Sequence, residues 1–419
     1  MTAREAPVDE VQALPAPAAR RWGWQHAMPR NVLAAGLVSF FTDISTEMIV
    51  PVLPLFLTAV LHAPVAAVGL IEGVAESTAS VLRVFAGWLS DRSGRRKPLM
   101  LFGYGLSNLS KPLLALSTAW PQVLAIRFAD RFGKGIRGAP RDALIADSVE
   151  PAIRGRAFGF HRSMDTAGAA IGPLLAAGTL ALLGNTPEGA RAVFWLASVP
   201  GLLAVLVAWW LVQDRPAPPK DVDAPRLGMR DLGRPFLLLT AITTLFALGN
   251  SSDAFLILRA QDAGMAAALI PLAYFAFNML YALLATPVGM LSDRWGRRPV
   301  LVAGYGIFAL VYAGFAVAPG ALAVAALFLV YSLYYACTEG VARALVTDLV
   351  PPSLRATAMG TYATATGVAL LPASVIAGAL WQAVGPPAPF VYGALTAGTA
   401  AVLLSVVPLG PRRQPAAVR

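Results

Sequence analysis

Pairs of carboxylates lie inside apolar segments of this chain, at a spacing that brings their side chains together. Asp43 and Glu47 are four residues apart, and Glu72 and Glu76 repeat that spacing. Residues four apart share one face of an α-helix. Two carboxylates on one face of an apolar helix cannot both ionise cheaply, so one of them tends to hold a proton. We therefore expect a proton-binding site, with Asp43 as the first candidate, then Glu47, then Glu76 and Glu72.

A basic stripe stands at the same depth in another apolar segment. On a helix, Arg127, Arg131, Lys134 and Arg141 fall within about 80° of arc, with Asp130 at the edge of the stripe. We expect the acidic faces to meet this basic face, and Asp130, Arg131 and Lys134 to line a polar cavity. Asp165, with His161 beside it, is a weaker pair that lies nearer the end of its segment, and His161 has the alternative of capping the helix or facing the inner vestibule.

Each buried charge has two interpretations. A static salt-bridge network is the better interpretation of Arg83, Lys111, Arg137, Arg141 and Asp142, because charges inside a protein are usually paired. Proton binding is the better interpretation of the carboxylate pairs, and Arg127 can tune them. An ionisable group in a membrane segment costs about 2.5–3.5 kcal/mol, so its presence indicates a function.

The second half of the chain carries aromatic residues where the first carries charges. Its polar stretch Gly249–Asp253 suits a helix break or a ligand contact. Most of the aromatic residues are ordinary packing, but Tyr274 and Asn278, like Tyr331 and Tyr335, are four apart and can form a wall. The cavity residues that we expect from this half are Asn250, Asp253, Tyr274, Asn278, Tyr335 and Glu339.

Composition places these residues in a membrane. Apolar residues make up 57% of the 419, charged residues 13%, and the mean hydropathy is +0.63. A membrane-spanning helix needs about 20 apolar residues. The pattern predicts an all-α membrane protein of twelve such helices, in two pseudo-symmetric six-helix bundles, 31–212 and 236–409. The predicted spans begin near Val32, Pro64, Pro98, Trp120, Ala157, Ala192, Phe236, Ala266, Val300, Ala321, Ala358 and Phe390.

The placement of the basic residues predicts the orientation. Of the 33 Lys and Arg residues, 22 lie in the tails and in the loops on one side, and two, Arg191 and Arg259, lie in loops on the other. Basic loops stay cytoplasmic, so we expect a multi-pass protein of the inner (plasma) membrane with both termini cytoplasmic. The net charge of +10 is then a topology signal and not a nucleic-acid surface. Segments 1–30 and 410–419 are predicted to be cytosolic tails, the former disordered, and 213–235 a cytosolic linker.

The chain is an internal repeat. Gly87-Trp-Leu-Ser-Asp-Arg-Ser-Gly-Arg-Arg96 returns as Gly289-Met-Leu-Ser-Asp-Arg-Trp-Gly-Arg-Arg298, and Asp147 and Arg154 return as Asp348 and Arg355. We expect the loops to act as a gating latch. Their aspartates can accept hydrogen bonds from a helix N-terminus, and their arginines can pair with Asp147 and Asp348. The latch residues are Gly87, Asp91, Arg92, Gly94, Arg95 and Arg96, and Gly289, Asp293, Arg294, Gly296, Arg297 and Arg298.

These motifs resemble the major facilitator superfamily over residues 31–409. The duplicated loop is similar to the signature loop of that family, and Gly168, Gly172 and Pro173 resemble its antiporter motif, although Ala176 and Ala177 stand where the motif ends in two glycines. Arg127 stands where the family often has a buried arginine, although Asp130-Arg131 replaces the usual Gln-Gly. The resemblance implies that spans three, six, nine and twelve lie outside and that the others line a central cavity.

The expected function is secondary active transport by alternating access. We expect a proton-coupled exporter, an antiporter, for a small organic molecule with an anionic or zwitterionic part. A proton symporter that imports an organic anion, an uncoupled facilitator and a carrier of cationic drugs remain alternatives. No His-Glu-x-x-His, Gly-x-Ser-x-Gly or Walker motif occurs, so we expect no enzyme and no cofactor other than the proton. Three histidines and one cysteine predict no metal site. The expected partners are the lipid bilayer and the substrate, and we expect a monomer.

Overall fold

The computed structural model describes residues 28–93, 95–150, 153–214, 232–351 and 354–409. The predicted tails 1–30 and 410–419 and the linker 213–235 lie wholly or mostly outside these residues. Within the described ranges the chain is helical and has no strand, as the sequence predicts for an all-α membrane protein.

Twelve helices can be numbered α1 to α12 after the predicted spans, and each starts within five residues of its predicted start. Three of them are made of more than one segment. The helices are α1 (Arg30–Ile49, Leu53–Leu55 and the π-helical Phe56–Val60), α2 (Val65–Ser93), α3 (Lys97–Ser110 and Pro112–Leu116), α4 (Trp120–Asp147), α5 (Arg154–Leu183), α6 (Pro187–Leu211), α7 (Arg234–Gly249 and Ala254–Asp262), α8 (Leu269–Trp295), α9 (Arg297–Val317), α10 (Ala321–Leu349), α11 (Arg355–Ala383) and α12 (Ala388–Val406).

Ten of the described helices are long and apolar enough to cross a membrane, by length and composition. The other two are α3 and α4. Pro112 interrupts α3 after Lys111, because proline cannot donate a helical hydrogen bond. Helix α4 carries too many charged residues to count as an apolar span. Its charged residues Arg127, Asp130 and Arg131 are buried in the protein.

Helices α1 and α7 are interrupted at matching places in the two halves. Helix α1 stops at Ile49 and resumes at Leu53, and α7 stops at Gly249 and resumes at Ala254. Pro51 explains the first break, since it removes a backbone donor. The predicted break at Gly249–Asp253 is present, and Gly249 is needed there because a Cβ atom would lie 1.6 Å from Thr396 Oγ1 of α12.

The duplicated loops lie at one end of the molecule, which we call the loop end, and the opposite end is the far end. Near the far end, α2 packs against α11 across the two halves. A Cβ on Gly69 would lie 2.1 Å from the carbonyl oxygen of Ser374, and a Cβ on Gly73 3.0 Å from that of Leu371. Leu57 of α1 and Leu258 of α7 join one apolar cluster beside this contact. The halves are therefore sealed together at the far end.

The loop end of each half is tied by the same set of contacts. Arg96 Nε lies 3.5 Å from Asp147, and Arg297 of the second copy of the loop lies 2.5 Å from Asp348, so the two predicted pairings are confirmed. Lys97 donates to the carbonyl oxygen of Trp209, at the end of α6. Arg298 was expected to pair with a carboxylate, but it donates to the carbonyl oxygens of Leu404, Ser405 and Val407, because those C-terminal groups of α12 lack helical partners.

The other loop residues take varied positions. Asp293 lies 3.5 Å from Arg297, and the guanidinium of Arg92 stands 5.3 Å from the ring of Trp88. The backbone N–H groups at the start of α3 donate to the carboxylate of Asp214. The sequence did not suggest this residue. Gly94 and the side chain of Asp91 lie outside the described part. The remaining latch residues are Gly87 in α2, Gly289 and Arg294 in α8, exposed Arg95, and Gly296, whose φ of 94° separates α8 from α9.

Two arginines do not lie in loops as predicted. Arg191 is in α6 and donates to the carbonyl oxygens of Ala115 and Ser117 at the end of α3. Arg259 is in α7 and donates to those of Phe315 and Ala318 at the end of α9. Both helix ends leave backbone acceptors without helical donors, and an arginine from the neighbouring helix supplies them.

We expect Gly69→Ala to loosen the seal at the far end. The added methyl would meet backbone of α11, which cannot move aside as a side chain would, so it should cost about 1–3 kcal/mol. Gly105→Ala in α3 is the control, because a Cβ there would meet nothing within 4 Å. The melting temperature in detergent should fall by several degrees for Gly69→Ala alone, and equal values for both variants would contradict this packing.

Candidate functional site

Two connected polar cavities lie between the halves. The inner cavity has a volume of about 350 Å³ and is lined by α1, α2, α4, α7, α8, α10 and α11. The wider vestibule, about 700 Å³, lies toward the loop end and is lined by α1, α2, α4, α5, α8 and α10. Among the described residues, α3, α6, α9 and α12 contribute to neither, which agrees with the arrangement that the resemblance implies.

The basic stripe of α4 is largely neutralised by α2. Both nearest nitrogen–oxygen distances between Arg127 and the carboxylate of Glu72 are 2.9 Å, and Arg131 lies 3.2 Å from Glu76. Asp130 accepts from Ser107 at 2.6 Å and lies 3.3 Å from Arg127. The expected meeting of an acidic and a basic face is confirmed for these two helices. Glu72, Glu76 and Asp130 are therefore ion-paired where they stand.

The acidic face of α1 was predicted to meet the basic face of α4, and the structure agrees with this only in part. Asp43 has a carboxyl group of α5, that of Asp165, within hydrogen-bonding reach, whereas the sequence pointed to α4. Small residues allow this approach: Cβ atoms on Gly168 and Gly172 would lie 3.2 Å and 2.8 Å from the Cβ atoms of Asp43 and Glu47. Two of the three residues of the antiporter-like motif thus hold α5 against the acidic face of α1, and Pro173 is buried beside them.

A carboxyl–carboxyl contact requires a proton. Two ionised carboxylates repel, and neither can donate a hydrogen bond, so Asp43 and Asp165 can bond only when they share one proton. Both residues line the vestibule, next to Arg137 and Arg141. His161, predicted as the partner of Asp165, instead contacts Ser39 of α1, with Nε2 2.8 Å from Oγ.

Two other groups of the inner cavity are left without an ionic partner. Glu47 lines both cavities, and its Oε2 atom is buried with no hydrogen bond within the described ranges. Lys134 lines both cavities too, and it has no hydrogen bond or ion pair to any described residue. Lys111, by contrast, is fully engaged, by Ser45, Thr46 and Asn108 at 2.9–3.1 Å.

The second half supplies one acid and an aromatic wall. The carboxylate of Asp253 accepts hydrogen bonds from the hydroxyls of Tyr331 and Tyr335, at 3.1 and 3.2 Å. Asn250 donates to Tyr334 Oη at 2.9 Å, and Asn278 donates to the carbonyl oxygen of Tyr274 at 3.1 Å. Glu339 lines the inner cavity but pairs with Arg343 at 2.8 Å.

Sequence reasoning missed two features of this wall. Spacing related Tyr331 to Tyr335, but only the fold shows that both reach Asp253 from α10. Leu370 and Ser374 of α11 line the inner cavity, and no charge or repeat marks them. The described residues contain no group of three or more His, Cys, Asp or Glu side chains that could hold a metal ion.

The chain matches known proteins over nearly its whole length. The sequence profile of the Major Facilitator Superfamily matches residues 35–259 and 237–419. An uncharacterized MFS-type transporter of Methanocaldococcus jannaschii is 37% identical over 383 residues, 90% of this chain and 94% of the relative. Multidrug resistance protein MdtL of Escherichia coli is 29% identical over 164 residues, 39% of this chain and 40% of that protein.

The fold is also similar to that of solved transporters. A crystal structure of a mutant of the nucleoside transporter NupG aligns with a TM-score of 0.72 at 14% identity, over 90% of this chain and 98% of that one. The profile, the relative at 37% identity and the cavity between two sets of helices agree. This chain belongs to the major facilitator superfamily of membrane transporters.

Proposed function

We propose that this transporter exports a small organic molecule in exchange for protons, by alternating access. The observation that carries the proposal is the contact between Asp43 and Asp165. A pair that holds one proton between two carboxyl groups gives up that proton only at the cost of repulsion between the carboxylates. Such a pair, open to the vestibule, can load and release a proton within each transport cycle.

The surrounding charges support this role. Arg137 and Arg141 line the vestibule beside the pair, and their positive charge lowers the cost of losing the proton. Glu47 stands one helical turn from Asp43 and lines both cavities. A proton that leaves the pair therefore has a second carboxyl group between it and the inner cavity.

The unpaired groups of the inner cavity support the substrate class. Arg127 and Arg131 are neutralised by α2, so Lys134 is the cation of α4 that remains for an anionic group of the substrate. An inner cavity of about 350 Å³ is within the range of small-molecule sites, roughly 300–1,000 Å³. We propose an organic substrate with an anionic or zwitterionic part.

We further propose that the loop end faces the cytoplasm of the cell, because basic residues concentrate there. In this orientation the vestibule opens to the cytoplasm and the far end is sealed. An exporter in this state receives its substrate from the cytoplasm, and rocking of the two halves would then open the far end.

Cysteine labelling tests the orientation. In a Cys337→Ala background, a maleimide that cannot cross membranes should label Arg95→Cys, at the exposed loop end, only after the cells are opened. It should label Glu188→Cys, which is exposed at the far end, in intact cells. The opposite pattern would show that the loop end faces outward.

Vesicle transport tests coupling and direction together. Everted membrane vesicles acidify their interior during respiration, and a pH-sensitive dye reports the gradient. Compounds come from a thermal-shift screen of organic anions, amino-acid conjugates and cationic dyes on the purified protein. A transported compound added outside should dissipate part of the gradient, because its entry is exchanged for protons. A symporter that imports its substrate would not dissipate the gradient in this way. A facilitator that moves its substrate without protons would leave the gradient unchanged.

We expect Asp43→Asn and Asp165→Asn each to reduce this proton exchange to the level of vesicles without the protein, because an amide cannot take up the shared proton. The amide keeps the shape of the side chain, so substrate exchange without a pH gradient should persist. Glu188→Gln, on the exposed far end, is the control. Full proton exchange in both aspartate variants would show that the coupling site lies elsewhere.

A further inference from the structure

The ionic groups of the inner cavity do not balance. Arg127 and Arg131 are paired with Glu72 and Glu76, and Glu339 is paired with Arg343 of the vestibule. Glu47, Asp253 and Lys134 line the same cavity and form no ion pair within the described part of the chain. Two acids and one base therefore face the space that a substrate would fill, one acid on each half of the protein.

Asp253 is held in place but not neutralised. Tyr331 and Tyr335 each donate one hydrogen bond to its carboxylate, which satisfies one lone pair on each oxygen and adds no charge. The residue stands at the break of α7, directly before the second segment, where the chain leaves the helix and reaches the cavity. Asp253 is partly exposed to the cavity, and no described cation pairs with its carboxylate, so a proton or a ligand cation can bind there.

The surroundings of Asp253 favour an organic ammonium group. Phe277 packs against Tyr331 and Tyr335 with ring centroids 5.4 and 5.2 Å away, and Tyr274 and Tyr335 also line the inner cavity. Aromatic faces attract an ammonium ion through the quadrupole of the ring. The carboxylate supplies the charge, and Tyr274 and Tyr335 supply aromatic surface in the same cavity.

Lys134 supplies the opposite pole. It extends from α4, in the first half, into the inner cavity that Asp253 reaches from α7, in the second half. Its ammonium has no acceptor among the described residues, and an anionic group of a ligand would provide one. A single molecule that carries both charges can therefore satisfy both residues at once, whereas a simple anion or cation would leave one of them unpaired.

We propose that the substrate is a zwitterion whose ammonium group binds Asp253 among the tyrosines and whose anionic group binds Lys134. This assignment rests on the proposed function, because it names the substrate of that transporter. It also gives a reason for exchange with protons. Glu47 lines the same inner cavity as Lys134 and Asp253, so the ligand's cation and a proton would compete for the acidic groups there.

Three probes with one carbon skeleton test the assignment: 6-aminohexanoate, which carries both charges, hexanoate and hexylamine. Shorter zwitterions, β-alanine and γ-aminobutyrate, vary the distance between the charges. The melting temperature of the purified full-length protein is titrated with each probe. We expect at least one zwitterion to stabilise the protein at lower concentration than hexanoate and hexylamine. Equal stabilisation by a singly charged probe, or none by any probe, would overturn the proposal.

Variants assign each charge to its residue. Asp253→Asn should weaken binding of the best zwitterion about tenfold or more, a loss of at least about 1.4 kcal/mol, and leave hexanoate unaffected. Lys134→Gln should also weaken binding of the zwitterion, but it should leave binding of hexylamine unaffected. Tyr335→Phe, which keeps the ring and removes one hydrogen bond to Asp253, should have a smaller effect. Zwitterion binding that all three variants leave unchanged would refute the site.

The binding test is independent of transport. Because it uses detergent-purified protein without a gradient, a protein that binds zwitterions but shows no proton exchange in vesicles would refute only the coupling. A protein that exchanges protons for a simple anion or cation would refute only the zwitterion. Glu188→Gln serves as the control for both measurements, and the melting temperature of each variant without probe shows whether it is folded.

Discussion

The structure depends on the ion pairs between α2 and α4. Arg127 with Glu72, and Arg131 with Glu76, bring four charges into a membrane protein at nitrogen–oxygen distances of 2.9 and 3.2 Å. Removing one partner of the buried pair of Arg127 and Glu72 should cost about 3–5 kcal/mol, because the other charge would be left uncompensated, and the partly exposed Glu76 should contribute less. These pairs therefore allow α4 to be the most charged helix of the bundle, and they hold it against α2. Since α2 also packs on α11 of the other half, the same network supports the surface along which the halves meet.

Pairing also decides which groups are free to act. Taken alone, the stripe on α4 would suggest a strongly anion-attracting cavity, but Arg127 and Arg131 are paired with carboxylates of α2. What remains is the asymmetric set of Lys134, Glu47 and Asp253 in the inner cavity, and the Asp43–Asp165 contact in the vestibule. Charged groups that face a cavity without an ionic partner are available to bind what a transporter carries. Protons and charged substrates are the species available for that purpose.

Much of the scaffold could be predicted from local patterns and from the repeat. Helix starts follow apolar runs, the break in α7 follows Gly249–Asp253, and the loop-end pairs of Arg96 and Arg297 follow from duplicated residues. Contacts between side chains of different helices were harder to predict. Spacing shows that Asp43 and Glu47 share a face, but it does not show which helix that face meets. The approach of Asp165 depends on Gly168 and Gly172, whose lack of a side chain has meaning only once α1 and α5 are placed side by side. Likewise, Asp253 is reached by tyrosines from α10, and no cation among those tyrosines indicates the contact in the sequence.

The two halves share a scaffold but divide the chemistry between them. Both have the same loop-end ties and a break in the first helix, at Ile49–Leu53 and at Gly249–Ala254. The first half adds ionic pairs and the carboxyl groups that we propose to bind protons, and the second adds Asp253 in an aromatic wall. Because Glu47 and Lys134 approach the inner cavity from one half and Asp253 from the other, the rocking that we propose would change the distances among them. A ligand or proton held between the halves would then gain or lose its partners as the halves move. If both halves carried the same charged groups, binding would not have to be coupled to that movement.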